Sequence, residues 1–300
     1  MTLSTQVCGL DLRNPTILAS GILGSTGSSL RRVAENGAGA VVTKSIGIEP
    51  REGHKNPTVV ELRQGVLNAI GLANPGYRAF KEEMEIATKG KVPVIASVFG
   101  FTVEEFVEVA RAMESYGAAA VELNLSCPHV EKAGSYFGQE PEMSYEVTKA
   151  VKEAVGIPII AKLTAHVKDI VEIAKACEEA KCDGLTAINT LKGMKIDVRV
   201  GRPVLGNKVG GLSGPYIKPV AVRCVYEIAK EVDVSILGCG GIINGEDAVE
   251  FLMAGARAVE IGTGVYFRGI SIFQQVSEEI EKFMRKNGYE SVEEMVGAAL

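Results

Sequence analysis

Short apolar runs alternate with longer amphipathic segments along the whole chain, and this alternation limits the folds open to it. The runs are 15–20, 38–44, 92–98, 118–124, 157–163, 184–189, 234–239 and 256–262. They are rich in Val, Ile and Ala and lack polar alternation, as strands buried on both faces do. Helical periodicity fills the intervals, over 28–36, 77–88, 103–116, 144–155, 167–180, 216–232, 245–254 and 270–287. In 103–116, Phe106, Val109, Ala110 and Met113 fall on one stripe, while Glu104, Glu105, Glu108 and Arg111 fall elsewhere. Gly117 follows as a C-cap, and similar stops stand at Asn36-Gly37, Gly156 and Gly255.

Eight β-then-α units predict an α/β fold, a (β/α)8 barrel formed as one domain over residues 1–300. A doubly wound open sheet is the alternative; the count of eight and the lack of a second composition zone favour the barrel. The segment Leu3–Asn14 reads as a hairpin turning at Gly9-Leu10-Asp11 and is expected to cover the bottom of the barrel. Ser291-Val292-Glu293-Glu294 has the spacing of a capping box for a short terminal helix. The 300 residues are 46% hydrophobic and 23% charged, enough apolar material for a sizeable core.

A net charge of −5 does not point to nucleic acid or an anionic membrane surface. The N-terminus lacks the pattern of a signal peptide, and no apolar run approaches the ~18 residues of a membrane span. The cysteines Cys8, Cys127, Cys177, Cys182, Cys224 and Cys239 are scattered, as in a reduced cytoplasmic protein. Their spacing fits neither zinc nor an iron–sulfur centre, so no metal is expected on this chain.

Three connections, 45–76, 125–143 and 190–215, are longer than a βα loop needs and would emerge at the C-terminal face, where barrel enzymes place their active sites. Polar groups end nearly every strand. They are Ser20-Gly21, Lys44-Ser45, Ser97, Asn124 with Cys127 just beyond, Lys162, Asn189-Thr190, Gly240-Gly241 and Gly262-Thr263-Gly264. One Lys or Asn at a strand end is usually a solvated edge; two of each on the same face point to a site. The glycine turns after strands seven and eight suit a phosphate, because glycine lets backbone N–H groups approach an anion and a helix N-terminus adds to them. An isolated cysteine is usually an inert buried thiol. Cys127 instead precedes Pro128 in a strand-end loop, where neighbouring cations favour a reactive thiolate. A Cys127–His129 nucleophilic dyad is the other reading, though no third orienting group is evident.

These residues resemble the soluble class 1 dihydroorotate dehydrogenases, in particular the class 1B catalytic subunit, over roughly 5–295. The likeness lies in Ala19-Ser20-Gly21, Thr43-Lys44-Ser45, Asn68-Ala69-Ile70-Gly71-Leu72, Asn124-Leu125-Ser126-Cys127-Pro128, Ala161-Lys162-Leu163, Ile188-Asn189-Thr190, Gly210–Pro215, Gly240-Gly241-Ile242 and Gly262-Thr263. The resemblance implies FMN held by Ser20, Lys44, Ser45, Asn124, Lys162, Ile188, Gly214, Gly240, Gly241, Gly262 and Thr263. It implies dihydroorotate held by Lys44, Asn68, Ala69, Ile70, Gly71, Leu72, Asn124, Asn189 and Thr190, with Cys127 as the catalytic base. It also implies oxidation to orotate in pyrimidine biosynthesis. Electrons would pass to NAD⁺ through a partner subunit carrying FAD and an iron–sulfur cluster, around a homodimer within a heterotetramer.

Two departures stand out. His129 follows Cys-Pro where many class 1 enzymes have asparagine, and Ser97-Val98-Phe99-Gly100 replaces a flavin-contacting asparagine. Cys-Pro-His also occurs in the related dihydropyrimidine dehydrogenase module, which reduces uracil and thymine. The runs Gly193–Asp197 and Gly210–Pro215 resemble the 1B orotate enzyme instead, and the second favours 1B over the fumarate-using class 1A. A flavin- or phosphate-binding module without turnover is a further alternative, which substitution of Cys127 would separate from an enzyme.

Overall fold

The computed structural model describes residues 1–125 and 137–300. The chain opens with strands β1 (Thr5–Val7), β2 (Leu10–Leu12) and β3 (Thr16–Leu18), then α1 (Gly27–Glu35) and β4 (Ala40–Val42). Next come β5 (Val59–Leu62), β6 (Gly65–Asn68), α2 (Tyr77–Ala87), β7 (Val94–Val98), α3 (Val103–Ser115) and β8 (Ala120–Asn124). They are followed by α4 (Pro141–Ala154), β9 (Ile159–Leu163), α5 (Ile170–Glu179), β10 (Gly184–Ala187), β11 (Leu191–Met194), β12 (Ile196–Asp197), β13 (Arg202–Pro203) and β14 (Val209–Ser213). The chain ends with α6 (Lys218–Ala229), β15 (Ser235–Cys239), α7 (Gly245–Met253), β16 (Ala258–Ile261), α8 (Gly264–Arg268) and α9 (Ile272–Asn287).

Eight strands, β3, β4, β7, β8, β9, β10, β15 and β16, close into a parallel barrel in that order. All eight apolar runs of the sequence supply one of them, and the expected (β/α)8 barrel is the architecture found. Capping sets several helix starts. Thr26, Thr102, Asp169 and Asn244 each accept a hydrogen bond from the first turn of the helix that follows. Helix α4 begins earlier than its apolar periodicity indicates, because Pro141 occupies its first position, where a missing N–H costs nothing.

Side chains alternate along each strand, so every second residue points into the lumen. At the N-terminal end the lumen holds a purely apolar layer. It contains Ile17, Ala40, Val42, Ile95, Ala120, Ile160, Leu237 and Ala258. The β1–β2 hairpin seals it by adding Val7, Cys8 and Leu12 to the same cluster. The hairpin pairs Val7 with Leu10 and turns at Cys8-Gly9, one residue earlier than expected. The larger cluster, with Phe80, Phe106, Phe251 and Phe273, packs the outer faces of the strands against the helices.

The segments 45–76 and 190–215 are not simple loops. They contribute a four-stranded antiparallel sheet, β11-β14-β6-β5, and the small β12–β13 ribbon. Leu212 pairs with Leu67 and Leu191, so two distant connections share one sheet. The alternation there is broken by glycines at 193, 210 and 211, which explains why it did not read as strand. A Cβ on Gly211 would lie 2.2 Å from Thr190 Oγ1, so the glycine is required by the packing. The terminal capping spacing produces a single 3-10 turn, Glu293–Met295, with Glu294 N–H donating to Ser291 Oγ.

The hairpin seal depends on close approach at Gly184, where a Cβ would lie 2.2 Å from Cys8 Sγ. Gly184→Ala is therefore expected to lower the unfolding free energy by about 1–3 kcal/mol through overpacking. Adding Cys8→Ala should recover part of that loss, as read by chemical denaturation of both variants.

Candidate active site

At the C-terminal mouth of the barrel lies a cavity of about 340 Å³, a size usual for small-molecule sites. Every described residue singled out for FMN or substrate lines it, except Ala69. Asn68 and Ile70 face the cavity, whereas Ala69 between them is fully buried on the other side with Leu67 and Leu205. Cys127 and His129 lie outside the described residues.

A chain of hydrogen bonds crosses the mouth from strand tip to strand tip. Ser45 Oγ is its hub, 3.3 Å from Ser20 Oγ and 3.0 Å from Ser97 Oγ. Asn124 Nδ2 donates to Ser45 Oγ at 3.2 Å, and Asn189 Nδ2 donates to Asn124 Oδ1 at 3.3 Å. The amide orientations of Asn124 and Asn189 are thereby fixed. Ser97, where a family asparagine is absent, belongs to this chain and is fully buried. On the far side Thr263 Oγ1 donates to Ser213 Oγ at 2.6 Å, joining the last barrel turn to the antiparallel sheet.

Glycines shape the other wall. Gly214, Gly240 and Gly241 have φ of +92°, +140° and +79°. A Cβ on Gly241 would lie 2.8 Å from the Gly214 carbonyl oxygen. Only glycine combines these dihedrals with this close approach. Two first-turn amides of α7, those of Gly245 and Asp247, are already engaged by side chains. Asn244 and Asp247 form a reciprocal capping box, and Gly245 N–H donates to Glu279 at 2.6 Å. The pocket side is left to Gly240, Gly241, Gly262 and Thr263, which line it.

The floor is ionic. Lys162, only 5% exposed, places Nζ 2.6 Å from Glu260 Oε2 and 3.2 Å from Glu122 Oε2. Thr186 Oγ1 lies 3.2 Å from a carboxylate oxygen of each glutamate. Burial opposes the Lys162 charge, but Glu122 and Glu260 outweigh it and hold the ammonium above its ordinary range. Burial first, then the Glu260 charge, pushes the Glu122 carboxyl up to about 8 despite the pull of Lys162. Sequence reasoning found Lys162 and missed both glutamates. They sit mid-strand in runs that read as apolar, and only the inward parity they share with Asn124 and Ala258 could have flagged them. Cys239, Val59, Val66, Ser213 and Tyr266 also line the cavity without having been singled out.

The donor set fits flavin mononucleotide. A glycine cradle at the β15 and β16 tips would admit a phosphate, the buried Lys162 ammonium would complement negative charge on a flavin ring, and half-buried Lys44 and the two amides border the remaining space. The fold and this pocket define an α/β-barrel enzyme whose site opens at the C-terminal ends of the strands. The dihydroorotate dehydrogenase family model matches residues 2–284, and the chain belongs to that family. It is 53% identical over 299 residues to the catalytic subunit of dihydroorotate dehydrogenase B (NAD(+)) from Methanothermobacter thermautotrophicus, covering 99% of this chain and 98% of that one. The subunit of the same name from Methanocaldococcus jannaschii is 52% identical over 301 residues, covering 99% and 98%. The one from Pyrococcus abyssi is 51% identical over 298 residues, covering 99% of each. These similarities place the chain with the class 1B enzymes rather than with the pyrimidine-reducing module.

Removing the lysine would leave two carboxyl groups buried against each other. Lys162→Met is expected to cost about 3–5 kcal/mol of stability near neutral pH, the usual cost of breaking a buried ion pair from one side. Carboxyls with raised folded pKa values favour the fold most below their unfolded values and lose that contribution as pH rises. The penalty should therefore shrink as pH falls from 8 to about 5, as denaturation at the two pH values would show.

Proposed function

We propose that this chain binds FMN and oxidises (S)-dihydroorotate to orotate in pyrimidine biosynthesis, as the catalytic subunit of an NAD⁺-linked enzyme. The observation that carries the reading is the cavity itself. Residues from nine separate stretches of sequence converge on it, in a chain about half identical to catalytic subunits bearing that name over nearly its full length. FMN, when bound, supplies the hydride acceptor.

The chain's own groups do the rest. Gly240, Gly241, Gly262 and Thr263 would receive the phosphate, with Gly214, Ser20 and Ile188 bordering the ring. Lys162 keeps its proton and offers a fixed positive charge where negative charge develops, in a site screened from water. Asn124 and Asn189 present amide donors and acceptors to the alternating N–H and C=O groups of a pyrimidine. Asn68, Ile70, Gly71, Leu72 and Thr190 would complete the substrate side, and Lys44 would meet the carboxylate. Cys127 is the proposed base for the C5 proton, on the strength of the Asn124–Pro128 motif.

The chain lacks clustered cysteines of its own, so an electron-transfer subunit with FAD and an iron–sulfur cluster is the proposed partner, around a homodimer of this chain. No described helix is long and apolar enough to cross a membrane, and the cytoplasm is the proposed location.

Anaerobic mixing with dihydroorotate should bleach the visible flavin band, whereas dihydrouracil should not; the reverse pattern would overturn the substrate assignment. Cys127→Ala should retain FMN yet slow the bleaching about 100- to 10 000-fold, the range for loss of a general base. An unchanged rate would remove Cys127 from that role.

A further inference from the structure

Two buried carboxyl groups share one lysine beneath the pocket, and the proposed chemistry uses only the lysine. Glu122 and Glu260 are 0% and 1% exposed and come from opposite parts of the barrel, β8 and β16. Both touch Lys162 and both touch Thr186. The contacts call for a proton. A threonine hydroxyl has one hydrogen to donate, yet Thr186 Oγ1 sits 3.2 Å from Glu122 Oε2 and 3.2 Å from Glu260 Oε1. It can satisfy both only by donating to one and accepting from the other, which needs a protonated carboxyl. Glu122 Oε1 is buried with no hydrogen-bond partner, a place that suits the carbonyl oxygen of a neutral acid better than half of a carboxylate. Lys162 stands closer to Glu260, at 2.6 Å against 3.2 Å. The proton therefore belongs to Glu122 and the ion pair to Lys162–Glu260.

We propose that Glu122 and Glu260 are positioning residues that act through Lys162: together they hold one exchangeable proton and so set the charge that the pocket floor presents to the bound flavin. This rests on the flavin reading above. The groups facing the pair are few. Lys162 approaches from β9, Thr186 from β10 and Cys239 from β15, whose thiol is pushed up to about 12, first by burial and then against the pull of Lys162. Cys8 of the hairpin lies below, and β3, β4 and β7 present Ile17, Val42 and Ile95. With Glu122 neutral, the floor carries no net charge. A hydride delivered to bound FMN brings two electrons and one proton, leaving one negative charge above Lys162. That charge raises the proton affinity of Glu122. Where Glu122 is ionised before reduction, one proton moves from solvent onto it as the electrons arrive.

The test is the midpoint potential of the bound flavin, titrated with dithionite and a reference dye on both sides of pH 8, the value to which the Glu122 carboxyl is raised. The holoprotein should show a steeper fall of potential beginning at or above that pH. Glu122→Gln should match the wild type below it and lack the steeper segment. Glu260→Gln removes the like-charged neighbour, so Glu122 ionises at lower pH and the segment disappears from this window. A reduced-minus-oxidised infrared difference spectrum of the wild type alone gives a second readout. A protonated-carboxyl band should appear on reduction above the break. A protein that takes up no FMN would overturn the flavin reading and this inference with it. Bound FMN whose potential shows no steeper segment, or shows one that persists in both variants, would overturn the carboxyl pair and leave the flavin reading standing.

Discussion

The lumen of an eight-stranded barrel has to be filled by its own side chains, and here the filling is graded along the axis. The lowest layer is apolar and sealed by Val7, Cys8 and Leu12. The next layer is ionic, with Glu122, Lys162, Thr186 and Glu260. Asn124, two residues beyond Glu122 on β8, and Cys239, the register partner of Glu260, already line the cavity. The site is the uppermost layer of the barrel filling, and its charge is set by the layer beneath. An ion pair so placed contributes little net stability, because desolvation cancels most of the attraction. Its value is a cation whose position and protonation are fixed before any ligand arrives.

The antiparallel sheet extends this logic outward. Its strands β6 and β14 turn Val66, Asn68 and Ser213 toward the cavity, while Leu67, Leu205 and Ala69 bury their own small core on the opposite side. These cavity-lining residues thus ride on paired strands rather than on isolated loops, and Ser213 links them to Thr263 at the barrel rim. Asn74 braces the following turn by accepting from Gly47 and Gly76 N–H groups and donating to the Leu72 carbonyl. Residues from 45–76 and 190–215 can meet one ligand because they belong to one sheet.

The barrel was legible because buried parallel strands leave long apolar runs, and all eight barrel strands did. The strand-tip residues followed from the rule that barrel sites form at the C-terminal face. The antiparallel sheet was not legible: Gly193, Gly210 and Gly211 interrupt the period-two pattern, and pairing across more than a hundred residues leaves no local trace. Glu122 and Glu260 were hidden for a different reason. A charged residue inside an apolar run looks like a defect until its partner is known, and the partners here, Lys162 and Thr186, come from β9 and β10. At the start of α7, Asp247 already accepts from the Ile243 and Asn244 N–H groups and Glu279 from that of Gly245, contacts that spacing alone does not reveal.

The same electrostatics bear on which thiol can act as a base. Cys239 borders the cavity, so proximity alone would make it a candidate. Its surroundings oppose that role. Burial, aided by Glu260 and Glu122, outweighs the pull of Lys162 and pushes its thiol up to about 12. Ionising it would put a second negative charge, beside Glu260, around a single ammonium. Cys177 and Cys224 are buried behind the strands, also with raised thiols, and Cys8 and Cys182 lie toward the closed end. Burial holds these thiols well above the ordinary range, and around Cys239 the neighbouring carboxylates add to it. Under the function proposed above, a cysteine base would come from outside these positions, and Cys127 in the Asn124–Pro128 motif is the remaining cysteine of the sequence.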